Sequence, residues 1–270
     1  MPLYSATCPL PVNRIKNRLF DPDARAFFAT AGVTDRVAKG QINAFVVGVK
    51  ALGLFNNMAS WPLRSSQNAG TGTTAYSLGG LGTFNGTLAG GSSWGTNGII
   101  LNGTSGAMTT NYVQPNGNAS FAFVGKMSTA VTRAHNALSI DNLTNRRVNL
   151  FFSELFAQKL VFEANLNGSM GFRVFLNNTA NQDFQCIQAS HDGTNFYGQA
   201  NANTIQSAAG SGTMQGTGQP LVLGRAGFNA NYMNGIIAFS YVIQSSSINS
   251  NFTNFYTLYK NTLGQGLGLP

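Results

Sequence analysis

Charge is what this sequence has least of. Asp, Glu, Lys and Arg make up 24 of 270 residues, or 9%, where about 25% is usual for soluble domains. No charged residue lies between Arg64 and Lys126, between Asp192 and Arg225, or between Arg225 and Lys260. Acids are scarcer than bases, 8 against 16, so the net charge of +8 reflects missing acids more than a basic patch. Polarity comes instead from 31 Asn together with Ser, Thr and Gly. Contacts made by such a surface are neutral hydrogen bonds, which salt screens little. That suits a protein working outside a cell or packed among copies of itself. It argues against an enzyme acting on charged substrates.

Cysteine is nearly absent. Cys8 and Cys186 read as two free thiols, and a chain this long can bury a core without a disulfide or metal. Long apolar runs are also missing. The longest, Ala44 to Phe55, is broken by Lys50 and is too short to span a bilayer. The start, Met1-Pro2-Leu3-Tyr4, has no basic region leading into an apolar stretch, so no secretory leader is expected. The sequons at Asn85, Asn102, Asn118, Asn142, Asn177 and Asn251 therefore read as chance in an Asn- and Thr-rich chain.

Catalytic residue types are few. Glycoside hydrolysis needs two facing carboxylates, and the only glutamates, Glu154 and Glu163, lack a hydrolase-like spacing. They keep hydrolysis as a remote alternative. Nucleophile–base catalysis mostly needs histidine. His135 and His191 are the only ones, and both sit beside turn residues, where a structural role is the simpler reading. Asp183 and Asp192 could hold calcium, but no dense cluster of ligand residues surrounds them in sequence. The glycines around Ser77–Gly82 lack a following Lys-Ser/Thr, so they read as a loop, not a phosphate cradle. No cofactor, metal or catalytic residue is expected.

Residues 1–20 read as an extended arm. Pro2, Pro9 and Pro11 block helix, while Leu3, Tyr4, Leu10, Val12, Ile15, Leu19 and Phe20 make it too apolar for a free tail. Its basic cluster of Arg14, Lys16 and Arg18, with Arg25 nearby, is assigned to docking on a neighbouring protein. Nucleic acid is the lesser alternative, because the other bases form no stripe.

Residues 21–62 read as a helical preface. Asp21 caps a first helix with Pro22 at its first position, and Gly32 ends it. Thr34 is expected to cap a second, with Asp35 in its first turn. Val37, Ile42, Phe45, Val46, Val49 and Leu52 would form its apolar face, and Gly53 would stop it. A short turn then leads into Trp61-Pro62.

From about residue 70 the pattern is β. Asn-Gly pairs at 85, 97, 102, 116, 167 and 234 punctuate short runs of β-branched and aromatic residues. Twelve strands are expected, at 75–78, 98–101, 107–112, 120–126, 136–140, 147–154, 159–165, 171–176, 183–190, 194–200, 220–224 and 235–243. Several alternate, with Phe121 and Phe123 on one face and Phe172, Val174 and Leu176 on another. The spacing of Phe252, Phe255, Tyr256 and Tyr259 predicts a short amphipathic helix, followed by a loose tail over 264–270. The fold class is mainly β: an antiparallel two-sheet jelly-roll sandwich over residues 63–270, preceded by the helices and the arm.

Two stretches resemble known families. Asn231–Ile243, running into a Ser/Ile/Asn-rich helix start, resembles the C-terminal end of laminin-G-like, concanavalin A-like jelly rolls, and Trp94–Gly106 resembles their early strands. Asp23–Asp35 followed by Ala44–Phe55 and then Trp61-Pro62 resembles a helical preface before jelly rolls in tailed-bacteriophage tail-fibre and virion proteins. The resemblance implies a non-enzymatic virion component, made in the host cytoplasm and assembled with other tail, baseplate or capsid proteins and copies of itself. It leaves open a short adhesin displaying a lectin-like domain to host-surface glycans, or a capsid decoration protein pinning adjacent subunits. For a glycan site, an aromatic platform beside amides is required. Trp94, Tyr112, Phe196 and Tyr197 are the candidates, with Tyr232 also near a loop and Asn close to each.

Overall fold

A computed structural model describes residues 20–128, 135–141, 147–153, 159–166, 169–176, 182–226, 231–244 and 248–270. The arm, with Cys8, Arg14, Lys16 and Arg18, lies outside the described residues, as does Glu154. Three α-helices and sixteen strands are described. The helices are α1 (Pro22–Ala31), α2 (Arg36–Ala51) and α3 (Phe252–Asn261). The strands are β1 (Met58–Pro62), β2 (Thr74–Ala75), β3 (Gly86–Ala89), β4 (Ser93–Gly95), β5 (Gly98–Asn102), β6 (Ala107–Val113), β7 (Ser120–Met127) and β8 (His135–Asp141). They continue as β9 (Arg147–Ser153), β10 (Lys159–Leu166), β11 (Ser169–Leu176), β12 (Gln185–His191), β13 (Asn195–Ala200), β14 (Gln206–Ala209), β15 (Pro220–Leu223) and β16 (Asn234–Ile243).

The strands form two antiparallel sheets of eight. The first runs β14-β13-β12-β7-β16-β5-β4, with β1 also paired to β16. The second runs β11-β10-β9-β8-β15-β6-β3-β2. Phe121, Phe123, Ile187, Phe196, Ile237 and Val242 of the first sheet meet Met108, Tyr112, Leu138, Leu150, Phe162 and Leu221 of the second in one buried core. This is the sandwich expected from the hairpin signals.

The helices cover the other face of the first sheet. Alternate residues of β7, β12 and β16 point there: Val124, Cys186, Phe239 and Tyr241. Phe45 of α2 and Phe255 and Tyr259 of α3 stack on them, with ring centroids 5.4 Å (Phe45–Phe239), 4.6 Å (Tyr241–Phe255) and 4.8 Å (Phe239–Tyr259) apart. The molecule therefore has three layers and two cores. Cys186 is a free, buried thiol in the outer core, and burial pushes its pKa up.

Asp21 caps α1, accepting from the N–H of Asp23, and Gly32 ends it at φ 67°. For α2 the cap is Asp35, not Thr34; its carboxylate accepts from the N–H of Ala38 at 2.7 Å. Val37 was expected on the buried face but is 66% exposed. It belongs instead to an outward stripe with Gly40, Ala44, Val47 and Ala51, which is uncharged and exposed throughout. The preface also ends earlier than expected, because Met58–Pro62 is a strand of the first sheet. All five of its residues are buried, since it lies between both cores, so it shows no alternation to read. The tail after α3 is docked, not loose. Leu267 and Leu269 are buried, and Arg64 donates to the carbonyls of Leu263 and Gln265.

Phe239→Ala removes the ring shared by all three elements of the outer core. It should cost roughly 3–5 kcal/mol in denaturant unfolding; a loss below about 1 kcal/mol would contradict this packing. Burial pushes up the carboxyl of Asp21, but the Lys50 ammonium 2.7 Å away and the N–H of Asp23 outweigh it and hold the carboxyl below its usual value. Its contribution is therefore present above about pH 4 and lost as pH falls through its lower folded value. Asp21→Asn should flatten the acid limb of stability against pH, read from melting temperatures between pH 2 and 7.

Candidate functional site

The four predicted sugar-binding aromatics do not come together. Tyr112 is fully buried between the sheets. Burial raises its phenol pKa, a hydrogen bond from Gln244 opposes this, and its hydroxyl donates to Gln114. Phe196 is fully buried too, stacked on His191 at 4.6 Å and on Phe162 at 5.4 Å. Neither offers a face to a ligand. Both sit on the inward side of alternating strands, which proximity to loops in sequence did not reveal. Trp94 is half-buried on the inter-sheet core, its indole N–H tied to the carbonyl of Gly72 at 3.0 Å. Tyr197 is half-buried on the other face, its hydroxyl donating to Asp192 at 2.9 Å. Tyr232 is half-buried, with its carbonyl 2.9 Å from Nδ1 of His135.

The Asp192 carboxylate is occupied by its own turn. It accepts from the N–H groups of Thr194 and Asn195, both at 2.8 Å, and from Tyr197. Burial raises its pKa, but these donors and His191 outweigh that and hold it low. His191 is buried, with Nε2 2.7 Å from the carbonyl of Gly210 and Nδ1 3.0 Å from Oδ1 of Asn118. Burial favours the neutral ring and outweighs the pull of that carbonyl and of Asp192, so its pKa is lowered. This histidine ties three loops together. No group of three His, Cys, Asp or Glu that could hold a metal occurs among the described residues.

A cleft that no sequence signal marked lies where β11 meets the β13–β14 hairpin. Its volume is about 350 Å³, and it is lined by Leu176, Ala200, Ala202, Asn203, Thr204 and Gln206. That volume falls in the range of roughly 300–1,000 Å³ typical of ligand sites. The hairpin is held from several sides. Asn201 adopts φ 53°, the only positive φ of a non-glycine among the described residues. Such a conformation is uncommon and persists where surroundings enforce it. Here the Asn201 side chain accepts from the N–H of Cys186 at 2.9 Å and donates to Gln185, while its own N–H donates to the Cys186 carbonyl at 2.7 Å. Gln199 then donates to the carbonyl of Asn203 at 2.8 Å and to the hydroxyl of Thr253 at 2.9 Å. Gly198 shapes the floor: a Cβ there would lie 2.3 Å from Leu176 Cδ2. Among the described residues, the walls of the cleft are neutral polar and small apolar.

A second feature crosses the outer face of the second sheet. The registers align Thr74, Thr87, Thr109, Val222, Ser139, Asn149, Glu163 and Arg173 in one row over all eight strands. Glu163 is 1% exposed and ion-paired with Arg173, which reaches solvent on the edge strand β11. The remote hydrolase reading thus meets a carboxylate engaged by a guanidinium. Oδ1 of Asn149 and both amide atoms of Asn165 are buried without a hydrogen-bond partner.

No family model matches the sequence, and no curated protein matches it. Solved structures do resemble the fold. The receptor-binding domain of botulinum neurotoxin D superposes with a TM-score of 0.56 at 10% identity, covering 75% of this chain and 52% of that one. The serotype D ligand-binding domain in complex with N-acetylneuraminic acid gives 0.57 at 12% identity, covering 76% and 52%. The serotype G binding domain gives 0.58 at 10%, covering 75% and 51%. This chain spans about half the length of those domains, and at such identities the likeness establishes a shared β-sandwich fold.

Proposed function

We propose that this chain is a non-catalytic, lectin-like module of a bacteriophage virion, displayed for attachment to a host-surface glycan. The observation that carries the binding half is the preorganised cleft at the β13–β14 hairpin. Glycans present hydroxyl and amide groups without strong charge, and the cleft answers with Asn203, Thr204, Gln206 and short hydrocarbon walls. The solved structures that share the fold are named as receptor-binding and ligand-binding domains, one of them with a bound sugar acid, which supports the same direction. The virion half rests on the sequence resemblance of the helical preface to tail-fibre and virion proteins. In this reading the protein is assembled in the host cytoplasm, the arm with Arg14, Lys16 and Arg18 docks on other virion proteins, and copies of the chain associate.

The capsid-decoration reading has one observation in its favour. The uncharged stripe of Val37, Gly40, Ala44, Val47 and Ala51 on α2 suits permanent packing against a protein neighbour better than free display. Immunogold labelling of intact virions separates the two: label on the tail supports attachment, label over the head supports decoration, and no label removes the virion assignment. For the binding half, the purified chain should retain glycans on an array. The double variant Asn203→Ala/Gln206→Ala should lose about tenfold in affinity, the worth of one to two neutral hydrogen bonds. An array with no bound glycan would sink the lectin reading.

A further inference from the structure

We infer that the outward face of α2 pairs with the same face of a second copy of this chain, in antiparallel orientation across a two-fold axis. The inference deepens the reading that copies associate, and it needs neither the cleft nor the virion assignment. It follows from the spacing of that face, from one glycine within it and from the charges at its two ends.

Helix α2 carries two apolar faces. Ala38, Ile42, Phe45, Val46 and Val49 are buried in the outer core. Val37, Gly40, Ala44, Val47 and Ala51 are exposed on the other side, Val37 by 66% and Val47 by 49%. Their steps of three, four, three and four residues keep them in one line, about 20 Å long. A surface helix ordinarily turns charged groups to water on that side. Steps of this kind form the seam along which two helices pack. Gly40 is the sharpest sign of a partner. A glycine inside a helix costs about 1 kcal/mol relative to alanine. Gly48, the other glycine of α2, is required by packing within the chain, since a Cβ there would lie 2.3 Å from Leu258 Cδ1. A Cβ on Gly40 would meet nothing within 4 Å among the described residues. Its bare backbone serves a close approach from outside the chain. With Gly40 and Ala44 at the crossing, two helix axes come as near as about 8 Å, and Val37 and Val47 close the contact on either side.

Charge sets the partner and the direction. At the start of α2, Arg36 is exposed, while Lys39 lies over the ring of Phe28 and Asp35 serves as the helix cap. At the other end, Lys50 is shared by two carboxylates, Asp21 at 2.7 Å and Asp23 at 2.5 Å. One ammonium against two carboxylates leaves that end with surplus negative charge, and the Asp23 side chain is 51% exposed. Arg25 does not cancel it: two residues on from Asp23, it lies about 200° round α1, on the opposite flank. A cleft of about 270 Å³ bordered by Asp23, Lys50, Gly53, Phe55 and Asn56 opens at this end. Parallel pairing would set Arg36 beside Arg36 and Asp23 beside Asp23. Antiparallel pairing sets Arg36 of each copy against the Asp23 cleft of the other, twice by symmetry, and opposes the two helix dipoles. One chain thus supplies both the apolar face and the complementary ends that a two-fold contact requires.

The test is sedimentation of the full chain across a concentration series, where a reversible monomer–dimer equilibrium is expected. Gly40→Glu places bulk and like charge beside the two-fold axis, while glutamate favours helix over glycine. It should weaken the dimer about tenfold or more without lowering the melting temperature. Arg36→Glu and Asp23→Lys should each weaken it severalfold, and the two together in one chain should restore most of the loss. Circular dichroism checks that each variant is folded; if Asp23→Lys is not, Gly40→Glu and Arg36→Glu decide alone. A chain that stays monomeric up to about 1 mM overturns the proposal, and a monomer whose melting temperature falls with Gly40→Glu has another segment of its own chain on that face. A dimer indifferent to Gly40→Glu forms elsewhere, and one indifferent to Arg36→Glu is not antiparallel; each overturns the assignment. None of these results touches the glycan array or the labelling of virions, and failure of those readings leaves this dimer standing.

Discussion

Strand β16 must be apolar on both faces, and the architecture depends on that. Ile237 and Val242 face the second sheet, while Phe239, Tyr241 and Ile243 face the helices. A strand at the edge of a sandwich could leave one face in water. This one cannot, because the rings of Phe239 and Tyr241 lie on its second face, in the interior of the sheet between β7 on one side and β5 and β1 on the other. Each ring of the outer core therefore needs a lid, and α2 and α3 provide it through Phe45, Phe255 and Tyr259. The helices cannot fold alone and the sheet face cannot stay bare. Helical layer and sandwich are one cooperative unit, and β1 is the segment through which the chain passes from one to the other.

A body with so little charge stabilises its polar groups by neutral hydrogen bonds. Loops are tied by Asn68, Asn102 and Asn201, whose side chains satisfy backbone groups on neighbouring segments. On β10 a buried charge is paired: Glu163 is nearly fully buried and lies against Arg173. Burying such a pair gives little net stability, but removing one partner leaves a costly orphan. That pair anchors one end of the polar row on β10 and β11. β11 also carries Leu176 into the cleft, so the strand that ends the row helps to build the pocket.

Much of the fold was legible in the sequence because its signals are local. The Asp21-Pro22 start and Gly32 end of α1, the aromatic spacing of α3 and the alternation in β7 follow from backbone chemistry within a few residues. The Asn-Gly pairs were legible only in part. Asn97 does sit in a hairpin turn between β4 and β5, but Asn102, Asn116 and Asn234 lie where the chain leaves one sheet for the other. Positive φ at the following glycine serves either turn, as at Gly103 (φ 75°) and Gly117 (φ 132°), so the dipeptide marks a reversal without saying which sheet receives it. β14 was missed because Gln-Ser-Ala-Ala has no strand propensity and is held by pairing with β13 alone. The residues of the cleft were least legible. Tyr112 and Phe196 lie near loops in sequence but face the core. The cleft is built from Asn, Thr, Gln, Ala and Leu, types too common in this chain to stand out, and only the register of three strands brings them together.

The same composition sets the strength of any single binding event. In the proposed reading, a small pocket with neutral walls would form a few uncharged hydrogen bonds and bury little apolar area, so one copy would hold a sugar weakly. Attachment by a module of the proposed kind would then call for several copies engaged at once, where each further contact is made at the high effective concentration set by the first. A surface poor in charged side chains leaves room for uncharged faces in that arrangement. Each copy carries a net charge of +8, so close packing of copies is least opposed through uncharged faces such as the α2 stripe. The scarcity of charged side chains that makes the sequence unusual and the neutral described walls of the cleft are then two consequences of one choice of residues, and the multiple copies of the proposed reading would be a third.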